Sequence, residues 1–124
     1  MAKAQEVQQT PAEAKQARAK QRALDSLVFW AGSKSELAAI AQVSRVAVSR
    51  WFSRGVIGKE AALLLSLVKG CPLEFRAMRP DLRGYEFTPD AVRAAKVAAR
   101  DSNRYLQERA RKQRAAAQAA RKAG

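Results

Sequence analysis

Residues 35–52 read SELAAIAQVSRVAVSRWF, and two short helical patterns meet in this stretch across a three-residue break. In the first pattern, Leu37, Ile40 and Ala41 recur at i, i+3 and i+4, which places them on one face of a helix. The second pattern begins after Ser44, a residue type that caps helix N-termini. The spacing therefore predicts a helix-turn-helix.

The second helix of this motif has a narrow outward face that is basic and polar. Val48 and Trp51 form an inward-facing i, i+3 pair. The outward side chains, which are the candidates for contact with DNA bases, are Arg45, Val46, Ser49 and Arg50. Such a helix suits the major groove, where a guanidinium group pairs with guanine O6 and N7. A surface helix hairpin without a DNA-binding role is the alternative interpretation.

The charge of the chain favours an anionic partner. Its 124 residues suit one small domain with appendages, and 24 Lys and Arg against 11 Asp and Glu give a net charge of +13. A polyanion or an anionic surface is the natural partner of such a chain. Residues 89–124 carry +7, from ten basic and three acidic residues, so more than half of the excess lies there.

The composition argues against several other classes of protein. Cys71 is the single cysteine and there is no histidine, so neither an internal disulfide nor a Cys/His zinc site is expected. The longest apolar run, residues 61–68, is too short to cross a bilayer. No nucleophile and base stand at a plausible spacing. We therefore expect a cytoplasmic protein that is not an enzyme, with no metal, cofactor, small-molecule ligand or membrane partner.

The region before the motif is expected to contain an arm and a core helix. Residues 1–22 form a basic arm in which Thr10-Pro11-Ala12-Glu13 predicts a capping box and a helix from Pro11 onward. The packed domain is expected to span residues 23–83. Its first helix is predicted by the apolar spacing of Leu24, Leu27, Val28 and Ala31, followed by Gly32.

Residues 61–68 predict a helix that is apolar on nearly all sides. Ala61, Leu64, Leu65 and Val68 share one face, and Leu63 and Leu67 extend it. Two interpretations are open for such a helix, since wide apolar surface is rarely left exposed. It is either enclosed in the core, or Leu63 and Leu67 belong to a dimer interface.

The last third of the chain is expected to be a linker and a long basic helix or tail, residues 84–124. Thr88-Pro89-Asp90 is a strong helix start. Small and apolar residues then recur at 3-4-3-4 spacing, at Val92, Ala95, Ala99, Ser102 and Leu106. This weak seam suits packing on the domain or on a second subunit. Residues 109–122 have almost nothing to bury, so we expect partial disorder there, either as a solubilising charge run or as a phosphate-binding tail.

Over residues 23–83 the chain resembles the Cro-like and lambda-repressor-like helix-turn-helix domains of phages and bacteria. It is most similar to the YdaS-like, Cro-type phage regulators. The resemblance is carried by Leu37-Ala38, Val43-Ser44, Ala47-Val48-Ser49-Arg50-Trp51 and Arg79-Pro80-Asp81-Leu82.

The resemblance implies an all-α domain of about five short helices that binds a double-stranded DNA operator, usually as a homodimer, in the bacterial cytoplasm. It implies that Arg45 and Val46 begin the recognition helix and that Ser49 and Arg50 face bases one turn later. The residues implied or considered as phosphate contacts are Lys34, Ser35, Ser44, Ser53 and Arg54.

The motif departs from the family pattern at two places. The family usually has Gly in the turn where this chain has Gln42, and a non-glycine residue in a left-handed conformation costs about 1 kcal/mol. Ile40 stands at a place that is usually polar, and small Ala41 follows it. These residues suggest that the first helix of the motif is rotated, or that a neighbouring element covers it.

Taken together, the sequence predicts a compact all-α bundle with a helix-turn-helix and basic helical extensions at both ends. The expected function is sequence-specific transcriptional regulation by a phage or prophage Cro-type repressor that occupies an operator. A CII-like transcriptional activator is one alternative. A protein-binding antitoxin or anti-defence factor that uses the same domain is the other.

Overall fold

The computed structural model describes residues 10–82 and 84–123, and these residues form helices and loops without a β-strand. The elements are α1 (Pro11–Ala31), α2 (Lys34–Ala41), α3 (Arg45–Arg54), α4 (Lys59–Ser66), α5 (Phe75–Met78), a 3-10 helix (Pro80–Leu82) and α6 (Pro89–Ala123). The expected all-α fold is confirmed. No described helix is both long and apolar enough to cross a bilayer.

Hydroxyl side chains cap four of the helices at their first turn. Thr10 and Glu13 exchange both hydrogen bonds of the predicted capping box at the start of α1. The hydroxyls of Ser33, Ser44 and Thr88 each accept an amide N–H three residues later, at 3.0 to 3.1 Å. These caps satisfy backbone donors that a helix leaves unpaired, which is why the sequence marks the helix starts so clearly.

The arm and the first core helix are one continuous helix. In the structure α1 extends from Pro11 to Ala31, whereas the sequence suggested a boundary between the arm and the domain after residue 22. Burial, not a break in the helix, marks that division, because the buried residues of α1 are Ala23, Leu24, Leu27 and Ala31. Residues 1–9 of the expected arm lie outside the described residues.

The centre of the fold is α2, which packs against α1, α3, α4 and α6. Leu37 and Ile40 are fully buried, and Ala41 is 2% exposed. The sequence left open whether α2 is rotated or covered, and α6 supplies the cover, since the Ser102 hydroxyl on α6 donates to the Ile40 carbonyl at 2.5 Å. Because α2 is covered by its neighbouring helices, a small side chain fits at Ala41.

Most of the apolar surface of α4 is enclosed by α6, α2 and α5. Ala61, Ala62, Leu64 and Leu65 are buried, Leu63 is half-buried, and Leu67, just after the helix, is 36% exposed. The interpretation as a core helix therefore holds for most of α4. Only its edge at Leu67 remains open to solvent.

The packed unit extends beyond residue 83, where the sequence suggested its edge. Ala95, Ala99 and Ser102 of α6 are buried, and Val92 and Leu106 are half-buried, so the 3-4-3-4 seam packs on this domain. From residue 111 every side chain of α6 is exposed, yet the helix continues to residue 123. Partial disorder was expected there. The packed half of α6 already provides the helix nucleus, so Ala, Arg, Lys and Gln only need to propagate it.

The turn between α2 and α3 depends on the side chain that replaces the usual glycine. Gln42 adopts the left-handed conformation, with φ of 58° and ψ of 43°. Its amide nitrogen donates to the Ala98 carbonyl at 2.6 Å and to the Ser102 hydroxyl at 3.0 Å. A glycine would avoid the backbone strain at this position but could not reach α6. We refer to Gln42, Ser102 and the Ala98 and Ile40 carbonyls as the turn clamp.

Two substitutions at Gln42 separate these opposing effects. Gln42→Ala keeps the left-handed strain and removes both hydrogen bonds, so the free energy of unfolding should fall by about 1–3 kcal/mol. Gln42→Gly loses the same bonds but relieves strain, and it should be more stable than the alanine variant by about 1 kcal/mol. Urea unfolding followed by circular dichroism measures both values. An alanine variant as stable as the wild type would show that the clamp contributes nothing.

Candidate nucleic-acid interface

The outward face of α3 carries the four side chains that the sequence nominated for base contact. Arg45, Val46, Ser49 and Arg50 are all exposed, and Val46 is 60% exposed although it is apolar. Ser53 lies one turn beyond Ser49 and shares that face, since α3 continues to residue 54. The face is therefore about two turns long, and α3 contains no acidic residue.

The inward face of α3 holds the helix in place. Val48 is fully buried and Trp51 is 6% exposed, as the spacing predicted. Gly55 ends the helix in a left-handed conformation, with φ of 70°, and its N–H donates to the Trp51 carbonyl at 2.7 Å. The outward side chains consequently project from a helix that is anchored along its opposite side.

The start of α2 lies beside the end of α3. Lys34 and Ser35 are exposed in the first turn of α2. The Lys34 ammonium nitrogen lies 4.4 Å from the centre of the Phe52 ring, a distance typical of a cation–π contact. The unpaired amides of a helix N-terminus also favour an anion. This corner of the domain is suited to an anion such as a phosphate group.

The structure distinguishes the two serines that flank α3. The Ser44 hydroxyl accepts the Ala47 N–H at 3.1 Å, so its own hydrogen remains available for donation to a phosphate. The Ser53 hydroxyl instead donates to the Arg50 carbonyl at 3.1 Å. A phosphate contact by Ser53 would require that bond to be given up, whereas Arg54 is exposed and needs no such change.

The Arg79-Pro80-Asp81-Leu82 segment ties down the loop that follows α3. The Arg79 guanidinium donates to both carboxylate oxygens of Asp81, at 3.0 and 2.8 Å, and to the Ile57 carbonyl at 2.8 Å. The Arg79 side chain is only 15% exposed. Its role in this fold is therefore to position the loop between α3 and α4.

This ion pair predicts an acid-dependent part of the stability. Hydrogen bonds from Arg79 hold the pKa of Asp81 below its ordinary value of 3.8. A lowered pKa in the folded state means that the contribution is complete above about pH 4 and is lost as the pH falls through the lowered pKa. Asp81→Asn should therefore reduce the free energy of unfolding at pH 7, by less than about 1 kcal/mol because the carboxylate is half exposed.

The corresponding measurement is urea unfolding of Asp81→Asn and wild type at pH 7 and near pH 2. The two proteins should differ at pH 7 and converge near pH 2. Asp101→Asn makes the same chemical change at an exposed carboxylate and is the matched control. A constant difference at both pH values would contradict the role of the Asp81 charge.

A second tie joins α6 to the start of α2. The Tyr105 hydroxyl donates to the Glu36 carboxylate at 2.5 Å, and this bond raises the pKa of Tyr105. The Arg109 guanidinium donates to the Ala31 carbonyl at 2.5 Å and lies 3.6 Å from the same carboxylate. Sequence reasoning missed both contacts, because the partners are 69 and 78 residues apart and no local pattern links them.

Phe29 is a further residue at this surface that the sequence motifs did not indicate. It is 90% exposed on α1 and lines a shallow cleft together with Lys34 and Phe52. The sequence held a signal for its exposure, since Phe29 falls between the core positions Leu27 and Ala31 and off their common face.

Within residues 10–82 and 84–123, no group of three or more His, Cys, Asp or Glu side chains is arranged to hold a metal ion. Comparisons of the chain with family models, with curated proteins and with solved structures found no match.

Proposed function

We propose that this protein is a sequence-specific DNA-binding transcriptional regulator whose α3 is the recognition helix. The observation that carries the proposal is the exposed face of α3, with two arginines, a valine and a serine, on a helix anchored by buried Val48 and Trp51. A helix of this diameter fits the major groove of B-DNA.

Each outward side chain has a base-edge partner of matching chemistry. Arg45 and Arg50 can each donate two hydrogen bonds to guanine, which is worth about 1–3 kcal/mol of discrimination per contact. The exposed Val46 suits the methyl group of thymine, and the Ser49 hydroxyl can donate or accept. Within the described residues, the arginines engaged in ion pairs are Arg79, Arg93 and Arg109, so the α3 arginines keep their donors for a ligand.

The surroundings of α3 supply phosphate contacts that orient the helix without reading sequence. Lys34, Ser35 and Ser44 lie at the starts of α2 and α3, and Arg54 lies at the end of α3. Contacts to phosphate fix the register of a protein on its duplex, while base edges specify the sequence. The net charge of +13 adds a long-range attraction that depends on salt.

In this proposal the protein is a phage or prophage Cro-type repressor that blocks transcription by occupying its operator as a homodimer. Repression by occupancy needs no catalytic group. The exposed edge of α4 at Leu67, beside half-buried Leu63, is the candidate dimer contact. A tetramer in light scattering would instead favour a CII-like activator.

Selection of bound sequences from a random DNA pool tests the proposal directly. The wild type should enrich a motif, and Arg50→Ala should lose preference at one base pair while keeping weak, salt-sensitive binding. Arg54→Ala removes the same charge from the same helix and is the matched control. It should weaken binding to all sequences equally, and a palindrome in the enriched motif would report the half-site spacing of a dimer.

Two results would contradict this proposal. If Arg50→Ala weakens all sequences equally, as expected for Arg54→Ala, then Arg50 contacts phosphate only. If the wild type binds no DNA at moderate salt and copurifies with a stoichiometric protein partner, the antitoxin or anti-defence alternative is favoured.

A further inference from the structure

Basic side chains form a single stripe along almost the whole of α6. At 100° per residue, eight of them fall within an arc of about 100°. These residues, which we call the α6 stripe, are Arg93, Lys96, Arg100, Arg104, Arg111, Arg114, Arg121 and Lys122. All eight are exposed, and the stripe is about 44 Å long at 1.5 Å per residue.

The stripe carries charge of one sign, and only Arg93 at its first end forms an ion pair with an acidic residue among the described residues, with Asp90 at 2.5 Å. The acidic residues of α6, Asp90, Asp101 and Glu108, all lie about 40° or more outside the arc, and Gln107 and Gln118 fill positions within it. Like charges at i, i+3 and i, i+4 destabilise a helix, and the stripe contains several such pairs. A bound polyanion would remove that repulsion.

The stripe faces away from the helix-turn-helix. Ala98, Tyr105 and Arg109 are among the α6 residues that contact Gln42, α2 and the end of α1. Their positions are about 170° around the helix from the centre of the stripe. Within the described residues α6 contacts α2 and α4 but not α3, so α2 separates the stripe from the recognition helix.

We propose that the α6 stripe is a second binding surface, independent of sequence, for the phosphate backbone of duplex DNA. One chain would then hold two duplex segments, one on α3 and one on α6. The second segment follows from the stripe alone, whereas its pairing with the first rests on the function proposed above.

The dimensions and chemistry of the stripe match a duplex backbone. Positions on the stripe recur every three or four residues, or about 4.5–6 Å, and basic side chains occupy all but Gln107 and Gln118, while a duplex carries one charge per 1.7 Å of axis. The stripe thus spans about 13 base-pair steps. A membrane surface is a poorer partner, because α6 buries its apolar face against the domain and Val97 is its one large exposed apolar residue in the described chain.

Paired neutralising substitutions test the proposal in the full-length chain. Arg100→Gln with Arg104→Gln removes two charges from the stripe, and Arg111→Gln with Arg114→Gln is a second, independent pair. Arg76→Gln with Lys112→Gln removes two charges from exposed positions outside the stripe and is the matched control. Glutamine has good helix propensity, and circular dichroism confirms that each variant is folded.

Two assays on random-sequence duplex DNA read out the effect. The slope of log affinity against log salt should fall in magnitude by about 1.8 for either stripe variant. In the second assay, protein bound to an immobilised duplex captures a labelled second duplex. Capture should fall about tenfold for the stripe variants. The control variant should capture as the wild type does.

The outcomes separate this proposal from the function proposed for α3. If the slope and the capture are unchanged in both stripe variants, the α6 stripe is not a second binding surface. Any capture by the wild type would then come from a dimer that bridges two duplexes through its two α3 helices. Loss of single-stranded RNA binding with an unchanged duplex slope would also overturn the second surface, in favour of RNA. If the wild type enriches no DNA motif but the stripe variants lose capture, the stripe stands and the recognition role of α3 fails.

Discussion

The fold depends on the turn clamp, which joins the turn between α2 and α3 to α6. Gln42 accepts a left-handed backbone and in return donates hydrogen bonds to the Ala98 carbonyl and the Ser102 hydroxyl. Ser102 is 2% exposed, and its hydroxyl donates a hydrogen bond to the Ile40 carbonyl. Ser102 is the buried end of the clamp, and a buried hydroxyl stabilises the fold only when its hydrogen bonds are made, so the clamp favours one position of α6 against α2.

Hydrogen bonds also hold the C-terminal end of α3 in place. Gly55 turns the chain at the end of the helix, and Arg79 joins the following loop, through the Ile57 carbonyl, to Asp81. Constraint at both ends and a buried inward face leave α3 little freedom to move relative to the domain. A rigid helix loses less entropy on binding, which favours an ordered contact with a groove.

Two of the basic surfaces of the molecule differ in geometry. The face of α3 is short and mixes arginine, valine and serine, which suits discrimination among base edges. The α6 stripe is long and uniform, which suits a backbone of regular charge. More than half of the net charge lies in residues 89–124, so in the proposed function general attraction and selectivity reside in different helices.

The sequence by itself determined the starts of α1, α3 and α6 and the inward and outward faces of α3. Each of these depends on residues within one or two helical turns. Only the tertiary structure decided that α1 is unbroken, that α6 completes the core, and that Glu36 meets Tyr105 across 69 residues. The α6 seam consists of small residues such as Ala95 and Ala99, and small residues carry no local signal of which partner they will pack against.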